Sequence, residues 1–341
     1  MMSARVVTVF GGTGFVGRHV VGRLANAGTR VRVVCRDPES ALFLKPLGDP
    51  GQIIAVKANI TDKHEVAKAI EGSDAVVNCA GVIASRGWNT LESVHKAGSA
   101  ILAKAVNAAG IKTLVHLSAL GATLKSECRY TQTKAHGEEA ILGNFPDATI
   151  LRPSLIIGAE DNFLNLYASL ARWSPVLPMV NPILPSIKMV RSKLYSFLLP
   201  TIKPRPTEGS AFQPVVVGDV ADAVLKAIES KDAKGQIYDI TGPTAYTFKC
   251  LMEMMLKAIG RKACIVSLPA FWAYYWAFWL EFMPGKPFTR EMVNLLNQDN
   301  LPTGENKTLA DLGLEAHSIE SVLPTYLKTY RPPSNRRLRP V

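Results

Sequence analysis

A run of β-branched and aromatic residues, Val6-Val7-Thr8-Val9-Phe10, leads without a spacer into Gly11-Gly12-Thr13-Gly14-Phe15-Val16-Gly17. The residues from Val16 to Asn26 then carry the period of an amphipathic helix. A glycine-rich turn between a strand and a helix constrains this chain more than any other feature, because it leaves a helix N-terminus open to an anion. Gly11 suits the tight turn, Gly14 the close approach of a pyrophosphate, and Gly17 the packing of helix on strand. Backbone N–H groups and the positive end of the helix then face the phosphates of a dinucleotide.

The alternation continues well past the loop. Strands are expected at Val6 to Phe10, Arg30 to Cys35, Ile53 to Lys57, Ala75 to Cys79, Thr113 to Leu117 and Thr149 to Leu151, with helices at Val16 to Asn26, Thr90 to Ala109 and Arg129 to Leu142. This βαβ pattern predicts an α/β fold: a Rossmann-type doubly wound parallel sheet with a smaller C-terminal α/β lobe. The expected division is a nucleotide-binding domain over 1–155 with returning segments near 207–242, a lobe over 156–330, and a basic tail over 331–341. Further on, Phe212 to Val217 reads as a strand, Asp219 to Ile228 as a helix, Gln236 to Ile240 as a strand and Phe248 to Ile259 as a helix.

Hydrophobic residues make up 48% of the 341 and charged ones 20%, enough to bury a large core and too apolar for a disordered chain. Thirty-nine Lys and Arg against 28 Asp and Glu leave a formal charge of +11, which favours anionic partners. No recognition helix, aromatic platform or zinc finger accompanies that charge, so nucleic acid is not expected. Cys35, Cys79, Cys128, Cys250 and Cys264 form no Cys-x-x-Cys pair and the six histidines no His-x-x-x-His, so neither a disulfide framework nor a metal site is expected. No spanning helix is expected, and the first strand begins too early for a leader in this numbering.

Cofactor choice turns on the end of the second strand, Val33-Val34-Cys35-Arg36-Asp37. An acid there binds the ribose 2′-hydroxyl of NAD, whereas a guanidinium holds the 2′-phosphate of NADP. Arg36 is the better-placed side chain, with Arg18 as helper, and Asp37 is the dissenting residue. NADPH is therefore the expected cofactor.

Together with Asn78-Cys79-Ala80-Gly81 and Tyr130-Thr131-Gln132-Thr133-Lys134, these motifs resemble extended or atypical short-chain dehydrogenases/reductases. Tyr and Lys at i and i+4 share a helix face, so the ammonium can hold the nicotinamide ribose and lower the tyrosine's pKa. The runs Ala41 to Asp49, Val115 to Ala122, Leu151 to Ser154, Phe212 to Val220 and Leu309 to Gly313 are similar, in order, to one branch: the dehydrogenase-like accessory subunits of respiratory complex I.

That resemblance implies a tightly held NADPH and a peripheral place beside the membrane arm. It further implies a matrix-side location at the mitochondrial inner membrane, or the cytoplasmic face of a bacterial inner membrane. It implies other complex I subunits as partners at the junction of peripheral and membrane arms, and a structural role in place of turnover. Carried over residue by residue, Gly11, Thr13, Gly14, Phe15, Val16 and Gly17 would meet the phosphates and Arg36 the adenosine end. Asn59 and Ile60 would flank adenine, and Ala80 and Gly81 the middle of the cofactor. Ser118, Tyr130, Lys134 and Pro153 would approach the nicotinamide side. Ser118, Tyr130 and Lys134 are vestigial catalytic candidates only, since active members carry Ser or Thr where this chain has Ala119, and losing one such donor costs about a hundredfold in rate. The span from Ala119 to Tyr130 is also short for an active member.

Two segments call for a partner. Ser174 to Pro206 holds seven prolines, five cations and no acid, and 268–283 gathers eight aromatics, from Phe271 to Phe282. As a helix the second would be about 20 Å long, short of a bilayer, and either a core helix or one lying against a membrane or large partner. An anionic lipid surface suits both. Two other functions stay open: a free-standing NADP-dependent reductase or nucleotide-sugar epimerase using Tyr130 and Lys134, and a soluble module that senses NADPH.

Overall fold

The computed structural model describes residues 5–85, 90–181, 186–188, 201–203, 209–283 and 288–332. They divide into two compact units: Met1–Asn162, Gln213–Ala245 and Asn300–Tyr326 form the first, and Phe163–Phe212, Tyr246–Asp299 and Leu327–Val341 the second.

The first unit is built on eight strands: β1 (Val6–Phe10), β2 (Arg30–Cys35), β3 (Ile53–Lys57), β4 (Ala75–Asn78), β5 (Leu114–Leu117), β6 (Thr149–Pro153), β7 (Ile237–Ile240) and β8 (Lys307–Thr308). They lie in the order β8-β7-β6-β5-β4-β1-β2-β3, every pair parallel. Parallel pairing requires crossovers, supplied by α1 (Phe15–Asn26), α2 (Lys63–Ile70), α3 (Ser99–Ala108), α4 (Arg129–Asn144) and α5 (Val217–Glu229). Helices cover both faces, so the inner strands are apolar on both sides: Val7, Val9, Val76, Val77 and Val115 are fully buried. One core joins Val7, Val9, Val33, Val77 and Leu117 to Val20 and Val21 of α1 and Val220 and Val224 of α5. The other joins Phe10, Val34, Val76, Leu114 and Ile150 to α2, α3 and α4. The chain moves from β1 outward to β3 and then returns beside β1 as β4. The crevice at the carboxyl ends of β1 and β4 is the switch point where such sheets take ligands.

Three expectations change in detail. Thr90 to Ala109 is not one α-helix: Ser93–Gly98 is π-helical and α3 starts at Ser99. Gly98 is pressed against Ile60, whose Cγ2 would lie 3.0 Å from a Cβ there. Phe212 to Val217 is two short strands, Ala211–Phe212 and Val215–Val216, because Pro214 between them has no N–H to continue a ladder. Residues 300–326, assigned from sequence to the smaller lobe, join the first unit, since β8 pairs with β7 at the sheet edge.

That last segment is pinned by an ion pair. His317 donates its backbone N–H to Asp219 at 2.8 Å, and its Nδ1 lies 2.6 Å from the other oxygen of that buried carboxylate on α5. The hydrogen bond, and then the charge of Asp219, raise the His317 pKa above the ordinary 6.5. A raised histidine stabilises fully below its unfolded value and loses that contribution as pH rises through the folded one. His317→Asn is accordingly expected to lower the melting temperature at pH 6 and to differ little from wild type at pH 9. The imidazole is largely exposed, so the difference should be small, and thermal melts across that range read it.

In the second unit, Val176–Asn181 pairs in parallel with Cys264–Pro269, which runs straight into the aromatic helix Ala270–Leu280. Its buried residues are small, Ala273 and Ala277 being 1% and 0% exposed, and the part-buried Tyr274 hydroxyl bonds to Asn294 Oδ1. Trp272, Trp276 and Trp279, at i, i+4 and i+7, are 47%, 56% and 55% exposed, and a second stripe of Phe271, Tyr275, Phe278 and Phe282 is exposed as well. The core alternative for this helix is therefore overturned: its bulk points outward. Among the described residues no helix is long and apolar enough to cross a membrane. Ser186–Lys188 and Thr201–Lys203 pair as short antiparallel strands, while the rest of the basic segment 182–206 and the tail 333–341 lie outside the described residues.

Candidate functional site

The crevice is built on its glycines. Gly11 has φ +72°, and a Cβ there would lie 2.8 Å from the Ala80 amide nitrogen, so the turn after β1 presses on the loop after β4. At Gly17 a Cβ would strike the Gly11 carbonyl oxygen and lie 2.7 Å from the Gly12 Cα. The Gly14 N–H donates to Gly11 O, and Gly14 is the N-cap of α1 with extended backbone. The first turn of α1 carries no acid, and no side chain caps it. Thr13, Phe15 and Val16 flank this open, positive helix end.

Beyond β2 the two candidate side chains part ways. Asp37 caps the 3₁₀ turn Pro38–Leu47, accepting the Glu39 N–H at 3.1 Å, while its carbonyl takes the Ser40 hydroxyl. Arg36 is exposed and has no partner among the described residues. The dissenting acid is thus spent on local structure. Asn59 and Ile60 follow β3, where Asn59 Oδ1 accepts the Thr61 N–H and Ile60 packs on Gly98.

Across the crevice, Tyr130, Lys134 and Glu138 share one face of α4 at successive i+4 positions. Glu138, 5% exposed, takes Arg152 of β6 through two bonds of 2.9 and 2.6 Å. Removing one partner of such a buried pair costs about 3–5 kcal/mol, so the clamp fixes α4 against the sheet. One turn earlier, Lys134 is 5% exposed and donates to Leu117 O at 3.0 Å. Burial lowers its pKa to about 8, against smaller opposing effects of Cys79 and Glu138. A Cβ on Gly81 would lie 3.3 Å from Lys134 Nζ, so the ammonium lies beside the loop that follows β4.

Two histidines, missed in the sequence, complete the site. His95 Nε2 accepts the Val82 N–H at 3.1 Å, so Nδ1 carries the proton toward Thr133 Oγ1 at 3.0 Å. Burial, then Lys134 and His116, hold its pKa down to about 2, and its ring meets Tyr130 edge-on at 5.6 Å. His116 accepts from Asn78 Nδ2 at 3.0 Å and stays neutral, its pKa lowered to about 3 by burial and then Lys134. The polar cluster was legible only as scattered residues, since 38 positions separate the partners in each of its side-chain pairs, Asn78–His116 and His95–Thr133.

Burial, and then Cys128, push the Tyr130 hydroxyl up to about 12. One of the three Lys134 ammonium donors goes to Leu117 O. Ser118 is 4% exposed, and its Oγ has no hydrogen-bond partner among the described residues. An orphaned buried hydroxyl, the glycine cradle and the open end of α1 all fit a bound dinucleotide. Ala80 and Gly81 line the same crevice, and Pro153 ends β6 beside it. Among the described residues no cluster of His, Cys, Asp or Glu could hold a metal.

These features define a Rossmann-type protein with a site shaped for a dinucleotide. A family model for NAD(P)H-binding proteins matches residues 11–162. The complex of UDP-glucose 4-epimerase from Thermus thermophilus with NAD superposes at a TM-score of 0.65 with 18% identity, covering 95% of this chain and 98% of that one, a likeness of fold. The rat NADH dehydrogenase [ubiquinone] 1 alpha subcomplex subunit 9 is 32% identical over 97% of this chain and 81% of its own length. The Arabidopsis thaliana protein of that name is likewise 32% identical, over 97% and 79%. The chain belongs to the family of complex I alpha subcomplex subunit 9.

Proposed function

We propose that this chain is a non-catalytic accessory subunit of respiratory complex I that holds NADPH as a structural ligand. It braces the junction of peripheral and membrane arms. The observation that carries the reading is full-length similarity to mitochondrial subunits of that name, covering both units and not the nucleotide domain alone. The choice of NADPH rests on Arg36, exposed and without a partner among the described residues, beside an Asp37 committed to capping. Gly11, Thr13, Gly14, Phe15, Val16 and Gly17 would meet the phosphates and Ser118, Lys134, Tyr130 and Pro153 the nicotinamide half. A ligand bound only by the folded state stabilises it by mass action, which gives a cofactor a role without turnover. The high Tyr130 pKa and Ala119 beside Ser118 suit that role.

The outward aromatic helix would lie on anionic lipid at the matrix face of the inner membrane, or at the cytoplasmic face in a bacterium. Indole and phenol rings settle at that boundary, and a formal charge of +11 draws the protein to it. Gentle detergent extraction, native separation and identification of the nucleotide in the band test the proposal. Comigration with NADH:quinone oxidoreductase activity and retained NADPH is the expected result. A small free species that exchanges nucleotide and reduces a carbonyl compound, with Tyr130→Phe abolishing that reduction, would overturn it in favour of a reductase.

A further inference from the structure

Arg18 stands one residue past the last glycine and folds back over the loop. Its Nη2 and Nε donate to the Thr13 and Gly14 carbonyl oxygens at 3.3 and 3.4 Å. Its guanidinium lies over the Phe43 ring, 4.8 Å from the centroid, and Nη1 is 3.5 Å from Glu160 Oε1. Phe43 belongs to the turn that starts at Asp37, at the very end of β2. The guanidinium thus bridges the phosphate loop and the turn that follows β2, the strand whose end carries Arg36 and in this type of site meets the adenosine ribose. All these contacts are long, since a strong charge-assisted bond is about 2.7–2.9 Å. Glu160 is also divided, because its second oxygen lies 3.0 Å from His19 Nε2.

We infer that Arg18 is a shared cation, held by Glu160 while the 2′-phosphate subsite is empty and taken over by that phosphate when NADP(H) binds, so that Glu160 tunes selectivity against NAD(H). The inference rests on the dinucleotide reading of the loop and assigns Glu160 and Phe43 parts that loop motifs do not reveal. A phosphate monoester brings about two negative charges to a guanidinium whose present carboxylate partner is shared and distant. The Phe43 ring keeps the guanidinium plane at the mouth of the subsite in both states, so little side-chain freedom is lost on binding. NAD(H) has no group to claim Arg18 and leaves the pair intact. Glu160 is therefore a positioning residue, acting through Arg18.

The test is the ratio of NADP⁺ to NAD⁺ dissociation constants, measured by calorimetry on the full chain after its nucleotide has been removed. Glu160→Gln should tighten NADP⁺ about three- to tenfold and leave NAD⁺ unchanged, in the range of a single surface charge partner. Phe43→Ala should weaken NADP⁺ alone by a similar factor, and Arg18→Ala by at least about tenfold. In the Arg18→Ala background, Glu160→Gln should no longer move the ratio. A selective wild type whose ratio ignores Glu160→Gln, or shifts equally without Arg18, would overturn the shared-cation inference alone. A wild type that binds both dinucleotides equally would overturn the NADPH assignment itself, and one that binds neither would overturn the dinucleotide reading.

Discussion

Gly17→Ala is expected to abolish nucleotide binding and to destabilise the fold. The added Cβ meets the Gly11 carbonyl oxygen and lies 2.7 Å from the Gly12 Cα, and both are backbone atoms of the loop. A clash with a side-chain tip is relieved by a new rotamer, but here either α1 must lift from β1 or the turn must open. Overpacking of this kind costs about 1–3 kcal/mol or more where nothing can yield. Opening the turn also spreads the N–H groups that face the pyrophosphate, so affinity should fall by at least about a hundredfold. Gly143→Ala is the control: it lies on α4, has ordinary φ and meets no atom within 4 Å. That change should stabilise the helix by about 1 kcal/mol or less. Thermal melts with and without NADPH read both variants, and a Gly17→Ala protein that melts and binds as wild type would contradict this account of the loop.

The second large effect is on association and not on folding. Trp272, Trp276 and Trp279 form one stripe of the helix Ala270–Leu280, each about half exposed, over a floor of Ala273 and Ala277. Replacing all three with Gln should leave the melting temperature within about 2 °C, because surface changes rarely exceed about 0.5 kcal/mol. Flotation with vesicles containing anionic phospholipid should fall by about a hundredfold. Full burial of a large apolar side chain stabilises by roughly 1.5–3 kcal/mol, so burying the exposed half of three rings contributes about 2–4.5 kcal/mol, a range that includes the roughly 2.7 kcal/mol that factor represents. Added salt should weaken the remaining binding, which would be carried by the basic surface. Undiminished flotation would remove the lipid surface from the proposal, and a clear loss of stability would return the rings to a packed interior.

Much of the first unit was legible in the chain because its determinants are local. A parallel sheet buried on both faces writes its strands as unbroken Val/Ile runs, and β1, β2 and β3 fall where those runs place them. The glycine spacing was equally direct, since each glycine meets a backbone constraint within a few residues of itself. Details failed where a neighbour distant in sequence intervened. Gly98 is crowded by Ile60, and the helix around it becomes π-helical. β8 joins the sheet edge from nearly 70 residues beyond β7, a pairing that two residues of sequence could not announce.

The site divides along the same line. The chain alone determined that a strand, a glycine turn and a helix would make a phosphate cradle, that Arg36 and Asp37 would compete beside it, and that Tyr130 and Lys134 would share a helix face. Those are consequences of backbone geometry and of the 3.6-residue period. Tertiary structure decided what each group could then do. It gave Lys134 to Leu117 O, Arg18 to Glu160 and Phe43, and the aromatic helix an outward face. A side chain's charge state and availability depend on which distant atoms displace its water and accept its protons, and only the folded chain sets that arrangement.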